Sequence, residues 1–199
     1  MDRIFQPKLS RREAGYLKRI RGLFPTESPI ELEVRAKSRP YGLPQQKLRL
    51  NCQVGPALSV SEGLCHEIGH LLEIDDARVC EPGWGLRLPT HYLLGQSWSE
   101  PRTVQSILRE CRVIAWQTRL LETVSAPFNP FRFSGSLQYM PDYCLIPISR
   151  RAKTLEGTDR RRNAWIHAQI REALRTITKE RVLPELRRKI GVVGETLRA

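Results

Sequence analysis

Leu64-Cys65-His66-Glu67-Ile68-Gly69-His70-Leu71-Leu72 is the stretch on which the reading of this chain turns. It holds His-Glu-x-x-His between apolar residues. On a helix, residues four apart lie one turn apart on one face, so His66 and His70 aim two imidazoles at one point. Two imidazoles so placed suit a zinc ion. Glu67 stands one step round from His66, within reach of a water at that point and able to take its proton. With 4 His and 21 Asp+Glu in 199 residues, random placement yields the pattern on the order of 0.01 times. The pattern is therefore specific enough to organise the rest of the chain.

Upstream, Ser59 or Ser61 is a natural N-cap, and the helix is expected to run to about Leu72 or Ile74. Gly63 and Gly69 each cost such a helix about 1 kcal/mol relative to Ala. A glycine beside the histidines leaves room for another element to approach closely. Before this helix, Ile30–Ala36 and Lys47–Val54 alternate apolar and polar residues and read as half-buried strands. Ser10 to Glu13 opens like a helix cap, with Tyr16, Ile20 and Leu23 at helical spacing, and this first helix stops before Pro25. Downstream, Asp75 to Ser99 is irregular and carries Trp84, Tyr92 and Trp98. Loops of this length are usually functional or disordered, and the aromatics favour a loop that borders the cleft.

A second long helix begins at Ser99-Glu100-Pro101 and continues to Leu121. Ile107, Cys111, Ile114 and Leu121 form its inward stripe, and Glu110 falls on that stripe. A carboxylate on a buried face is costly unless paired or bound to a metal. Glu110 is therefore the leading third ligand, the alternative being an ion pair with Arg109 or Arg112. Residues 127–147 are rich in proline and aromatics, with a short strand expected near 143–146. The last segment forms an amphipathic helix through Ile166, Ile170, Ala173 and Ile177, broken by Pro184, then a short helix with Leu186 and Ile190.

The net charge of +12 is uneven. Residues 1–50 carry 12 Lys+Arg against 5 Asp+Glu, residues 51–149 carry 7 against 10, and residues 150–199 carry 14 against 6. The middle segment is mildly acidic, as suits a cation site. The basic ends suit an acidic partner such as nucleic acid, with Arg160, Arg161 and Arg162 as the densest cluster. The five cysteines are odd in number and scattered, which fits reduced thiols. No stretch approaches the roughly 18 apolar residues of a membrane span, and the N-terminus lacks a secretory apolar run. A cytoplasmic protein with no membrane partner is expected.

A helix bearing His66-Glu67-Ile68-Gly69-His70, followed by a second helix bearing Glu110 and Ala115, resembles the small gluzincin-type zinc metallopeptidases. The nearest pattern is the ImmA/IrrE-like group, common in phages, plasmids and bacterial chromosomes. The resemblance covers roughly residues 45–122. It implies an α+β, zincin-like fold, with a small sheet packed on the motif helix and on a second ligand-bearing helix. It implies Zn2+ bound by His66, His70 and Glu110, with Glu67 as general base, and a protein substrate cleaved for regulation. On that basis residues 1–149 form the metallopeptidase domain, and residues 150–199 a basic helical extension packed on it or appended to it. Many members of the group have another histidine soon after the motif, where this chain has Glu73, Asp75 and Asp76.

Two other classes fit part of the pattern. A SprT-like, DNA-associated protease takes a later histidine as third ligand, and His91 could serve. A non-catalytic, zinc-containing nucleic-acid-binding protein could close the site with Cys80 and Cys111. Tyr92 and His91 are the candidates for stabilising an oxyanion.

Overall fold

The computed structural model describes residues 9–35, 48–53, 59–80, 101–133 and 160–199. Among these, the chain is mainly helical with one small sheet. Helix α1 is Arg11–Arg21, followed by strands β1 (Ile30–Arg35) and β2 (Leu48–Gln53). Then come α2 (Val60–Glu73), α3 (Pro101–Thr123), α4 (Arg160–Thr176) and α5 (Val182–Thr196). The strands match their expected positions to within a residue or two. They pair in parallel, Ile30 opposite Leu48 and Leu32 opposite Leu50. Ile30, Leu48 and Leu50 are buried, while Glu31 and Arg49 form an ion pair at 3.1 Å that is open to solvent. That is the inside–outside alternation seen in the sequence.

The buried face of the sheet joins one core with α1, α2, α3 and the C-terminal helices. Leu50, Leu64, Ile68 and Leu71 meet Trp116, Leu120, Ile177, Leu186 and Val193 there. Helix α3 is covered on a second side. Ile107, Cys111 and Ile114 pack against Ile166 and Ile170 of α4. Three residues of the inward stripe foreseen on this helix thus face α4, Leu121 joins the main core instead, and a neighbouring face carrying Val113 meets α2. The basic C-terminal segment is packed on the rest, since Ala173, Ile177, Val182, Leu186, Ile190 and Val193 belong to the main core.

Pro184 does not break the helix before it. Helix α4 ends at Thr176, a 3-10 turn spans Lys179–Arg181, and Pro184 lies in the first turn of α5. Proline is tolerated there because the first-turn N–H groups have no helical acceptor. Helix α5 is 15 residues long rather than short.

Gly69 sets the distance between α2 and α3. A Cβ at this position would lie 2.8 Å from the Val113 carbonyl oxygen and 3.1 Å from Val113 Cγ1. The backbone oxygen cannot swing aside, so any side chain pushes the helices apart. Overpacking of this kind costs typically 1–3 kcal/mol. Gly69→Ala is expected to lower stability to denaturant by about that amount, read as a shift in midpoint. An unchanged midpoint would mean that the helix pair can yield at this point.

Candidate metal centre

Both ends of α2 are tied down. At its start Ser59 Oγ accepts from Glu62 N, and Glu62 Oε2 accepts from Ser59 N at 2.8 Å, forming a reciprocal cap. Glu62 is also held by Arg132 at 2.6 Å, and Glu13 of α1 accepts from Ser61 N. At the other end the buried Lys189 of α5 donates to the Ile74 carbonyl and to Asp76 Oδ1. A cation at a helix C-terminus complements both the free carbonyls and the dipole. The histidines sit between these anchors.

His66 Nε2 and His70 Nε2 are 3.2 Å apart, with ring planes perpendicular and centroids 4.8 Å apart. Across the helix interface, Glu110 brings Oε2 to 3.7 Å from His66 Nε2 and Oε1 to 3.6 Å from His70 Nε2. One donor atom from each residue lies within 4.8 Å of the others. Ligands bound tetrahedrally at roughly 2.0–2.2 Å from zinc stand about 3.3–3.6 Å apart. The two contacts to Glu110 are made by different oxygens, and one ligand atom from each residue stands within 4.8 Å of the others, so the three donors fit a zinc ion once they draw together around it.

The electrostatics of the three groups are set first by burial. Burial pushes the His66 imidazole below its ordinary range, reinforced by His70 and opposed by Glu110 and Gln117. His70 falls to about 4, through burial and then the nearby Arg109, against a smaller pull from Glu73. Burial raises Glu110, while His66 and Arg109 pull it down. Neutral imidazoles are what a metal needs, and a bound cation favours the ionised carboxylate.

A pH dependence follows for the metal-free protein. A His whose folded pKa lies below its unfolded 6.5 binds more protons when unfolded, so stability rises with pH across that interval. For His70 the window runs from about 4 to 6.5. The melting temperature of metal-free protein is therefore expected to fall on acidification from pH 6.5 toward 4, and the fall should be smaller in His70→Gln. An equal fall in both proteins would mean that His70 is not the titrating group.

Glu67 lies on α2 beside His66 and is half-buried. Glu110 is not paired with Arg112, whose guanidinium holds Glu73 at 2.7 Å. Trp116 Nε1 donates to the same Glu73 carboxylate. Cys80 and Cys111 are both free thiols outside the ligand group found among the described residues. Cys111 is turned into the apolar cluster with α4, where burial, followed by Glu110, pushes its thiol up to about 12. The two-cysteine closure of the site is therefore not what the fold assembles. His91 and Tyr92 lie outside the described residues, as do Trp84, Trp98 and the strand expected near 143–146.

Arg160, Arg161 and Arg162 fall in the first turn of α4, with Arg161 exposed. Other cations of the C-terminal segment are used internally. Arg188 binds Asp76 and Glu185, Arg175 binds Glu172, and Arg181 caps the Thr176 carbonyl. No helix among the described residues is long and apolar enough to cross a membrane.

Gln117 was not foreseen. It lies on α3 two turns beyond Glu110, fully buried, with its Oε1 3.4 Å from His66 Nδ1. The signal was present: a glutamine on the same helix side as the candidate ligand. No family model, curated protein or solved structure matches the chain.

Proposed function

We propose that this protein is a zinc-dependent peptidase of the His-Glu-x-x-His type, built on a zincin-like core around α2 and α3, that cleaves a protein inside the cell. The convergence of His66, His70 and Glu110 from two helices carries this reading, because it gathers the donor types of one zinc site with a ligand atom from each within 4.8 Å of the others. The likeness of the motif and of the Glu110 helix to ImmA/IrrE-like peptidases supports it. Three protein ligands are also the count found in catalytic zinc sites, where a fourth position stays open to substrate.

His66, His70 and Glu110 would hold the ion. Zinc, when bound, supplies Lewis acidity that polarises a carbonyl and acidifies water toward neutral pH. Glu67, beside the ligands and not one of them, accepts the proton of the attacking water and returns it to the departing amine. Burial keeps the two imidazoles neutral and available as donors. The reduced, buried thiols of Cys65 and Cys111 accord with an intracellular setting.

Elemental analysis of untagged protein tests the premise. About one zinc per chain is expected. A content near zero after growth with added zinc would remove the reading.

A further inference from the structure

Gln117 is bound at both ends of its amide, and this arrangement bears on His66. Its side chain is wholly excluded from solvent. A buried amide is costly unless its polar atoms are satisfied. Nε2 donates to the Glu62 carbonyl at 2.9 Å, in the helical turn that precedes His66. A carbonyl can only accept, so the amide nitrogen must face Glu62, and Oε1 is left facing His66 Nδ1 at 3.4 Å. An amide oxygen also only accepts. The ring proton of His66 is therefore drawn to Nδ1, and the Nε2 lone pair is turned toward His70 and Glu110. His70 lacks the equivalent support: its Nδ1 is buried with no hydrogen-bond partner among the described residues.

We propose that Gln117 is the positioning residue of the metal centre, fixing the Nδ1–H tautomer and the ring orientation of His66 so that Nε2 is preset as a ligand. The inference rests on the zinc-site reading above. It deepens that reading by assigning the two histidines unequal roles: His66 is fixed before the metal arrives, and His70 adjusts to it. The chain of contacts also links the ligand to the reciprocal cap of α2, since Glu62 supplies the carbonyl that orients Gln117 and the carboxylate that caps Ser59.

The experiment has two parts. Long-range proton–nitrogen NMR of the wild-type, metal-free protein at pH 7.5 is expected to show His66 protonated on Nδ1 and bare on Nε2. Zinc affinity is then measured by competition with a chromophoric chelator in wild type, Gln117→Met and Gln117→Glu. Methionine keeps the volume and removes the acceptor, so affinity should fall about 10–100-fold, as for other outer-shell partners of metal-bound histidines. Glutamate keeps an oxygen toward Nδ1 but gives up the amide N–H that holds the Glu62 carbonyl, so it should recover part of the loss, which a purely space-filling role would not do. Wild-type affinity in Gln117→Met, or an Nε2–H tautomer in the wild type, overturns the assignment while leaving the zinc site standing. A wild-type protein that binds no zinc overturns both. If Gln117→Met fails to fold by circular dichroism, the wild-type tautomer decides alone.

Discussion

Replacing Glu67 by Gln is expected to reduce peptide cleavage about 10²–10⁴-fold, the usual worth of general acid–base help. The amide keeps the size and much of the hydrogen bonding of the carboxylate but cannot accept a proton. Glu67 lies beside His66 and outside the group formed by His66, His70 and Glu110. Zinc content and melting temperature should therefore stay near wild type. The comparison is made by expressing both forms and examining cellular proteins for species shortened only by the wild type. A Glu67→Gln protein that still cuts at the wild-type rate would show that the centre is not catalytic.

Loss of the Glu110 carboxylate should be the largest effect on the metal itself. Among the described residues it is the one His, Cys, Asp or Glu that α3 brings into a group with the two histidines. Removing an outer-shell partner alone costs about 10–100-fold in affinity, so Glu110→Ala should weaken zinc binding by more than about 100-fold. Cys80→Ala and His91→Ala should retain the metal. Equilibrium dialysis of the three variants against buffered zinc reads this directly. If His91→Ala loses zinc while Glu110→Ala keeps it, the third ligand comes from the segment after α2, as in SprT-like proteases. The apo fold should tolerate Glu110→Ala, because a carboxylate whose pKa is raised by burial is not what holds the helices together.

The local signals were legible because local chemistry decides them. Ser59 was one of two serines read as the cap of α2, and it is the cap because Glu62 stands at the third helical position to return the bond. Ser10 was read as a cap with Glu13 as its partner. The serine does accept from Glu13 N, but the Glu13 carboxylate goes instead to Ser61 N on another helix. That contact depends on tertiary placement, which no local pattern encodes. Glu110 was legible because charge on an apolar stripe demands an explanation. Of the two arginines offered as its partner, Arg109 does pull on its charge, while Arg112 is turned away because it lies on the exposed side of α3, beside Glu73. The parallel pairing of β1 and β2 was not read at all, since alternation fixes which side chains face inward and not strand direction. Pro184 was misread because proline ends a helix or begins one depending on which turn it occupies.

The bare contact at Gly69 has a cost that its neighbours carry. With no side chain there, the closest point between the two helices contributes almost no apolar area of its own. The grip is exerted on either side by Leu64, Ile68 and Leu71 against Trp116 and Leu120, like jaws closing around a hinge pin. A weakening anywhere in those jaws widens the gap at the pin, where His70 faces Glu110. Under the zinc proposal, metal affinity is thus a finer gauge of this core than its melting temperature: a change too small to unfold the protein would still register as a looser hold on the ion.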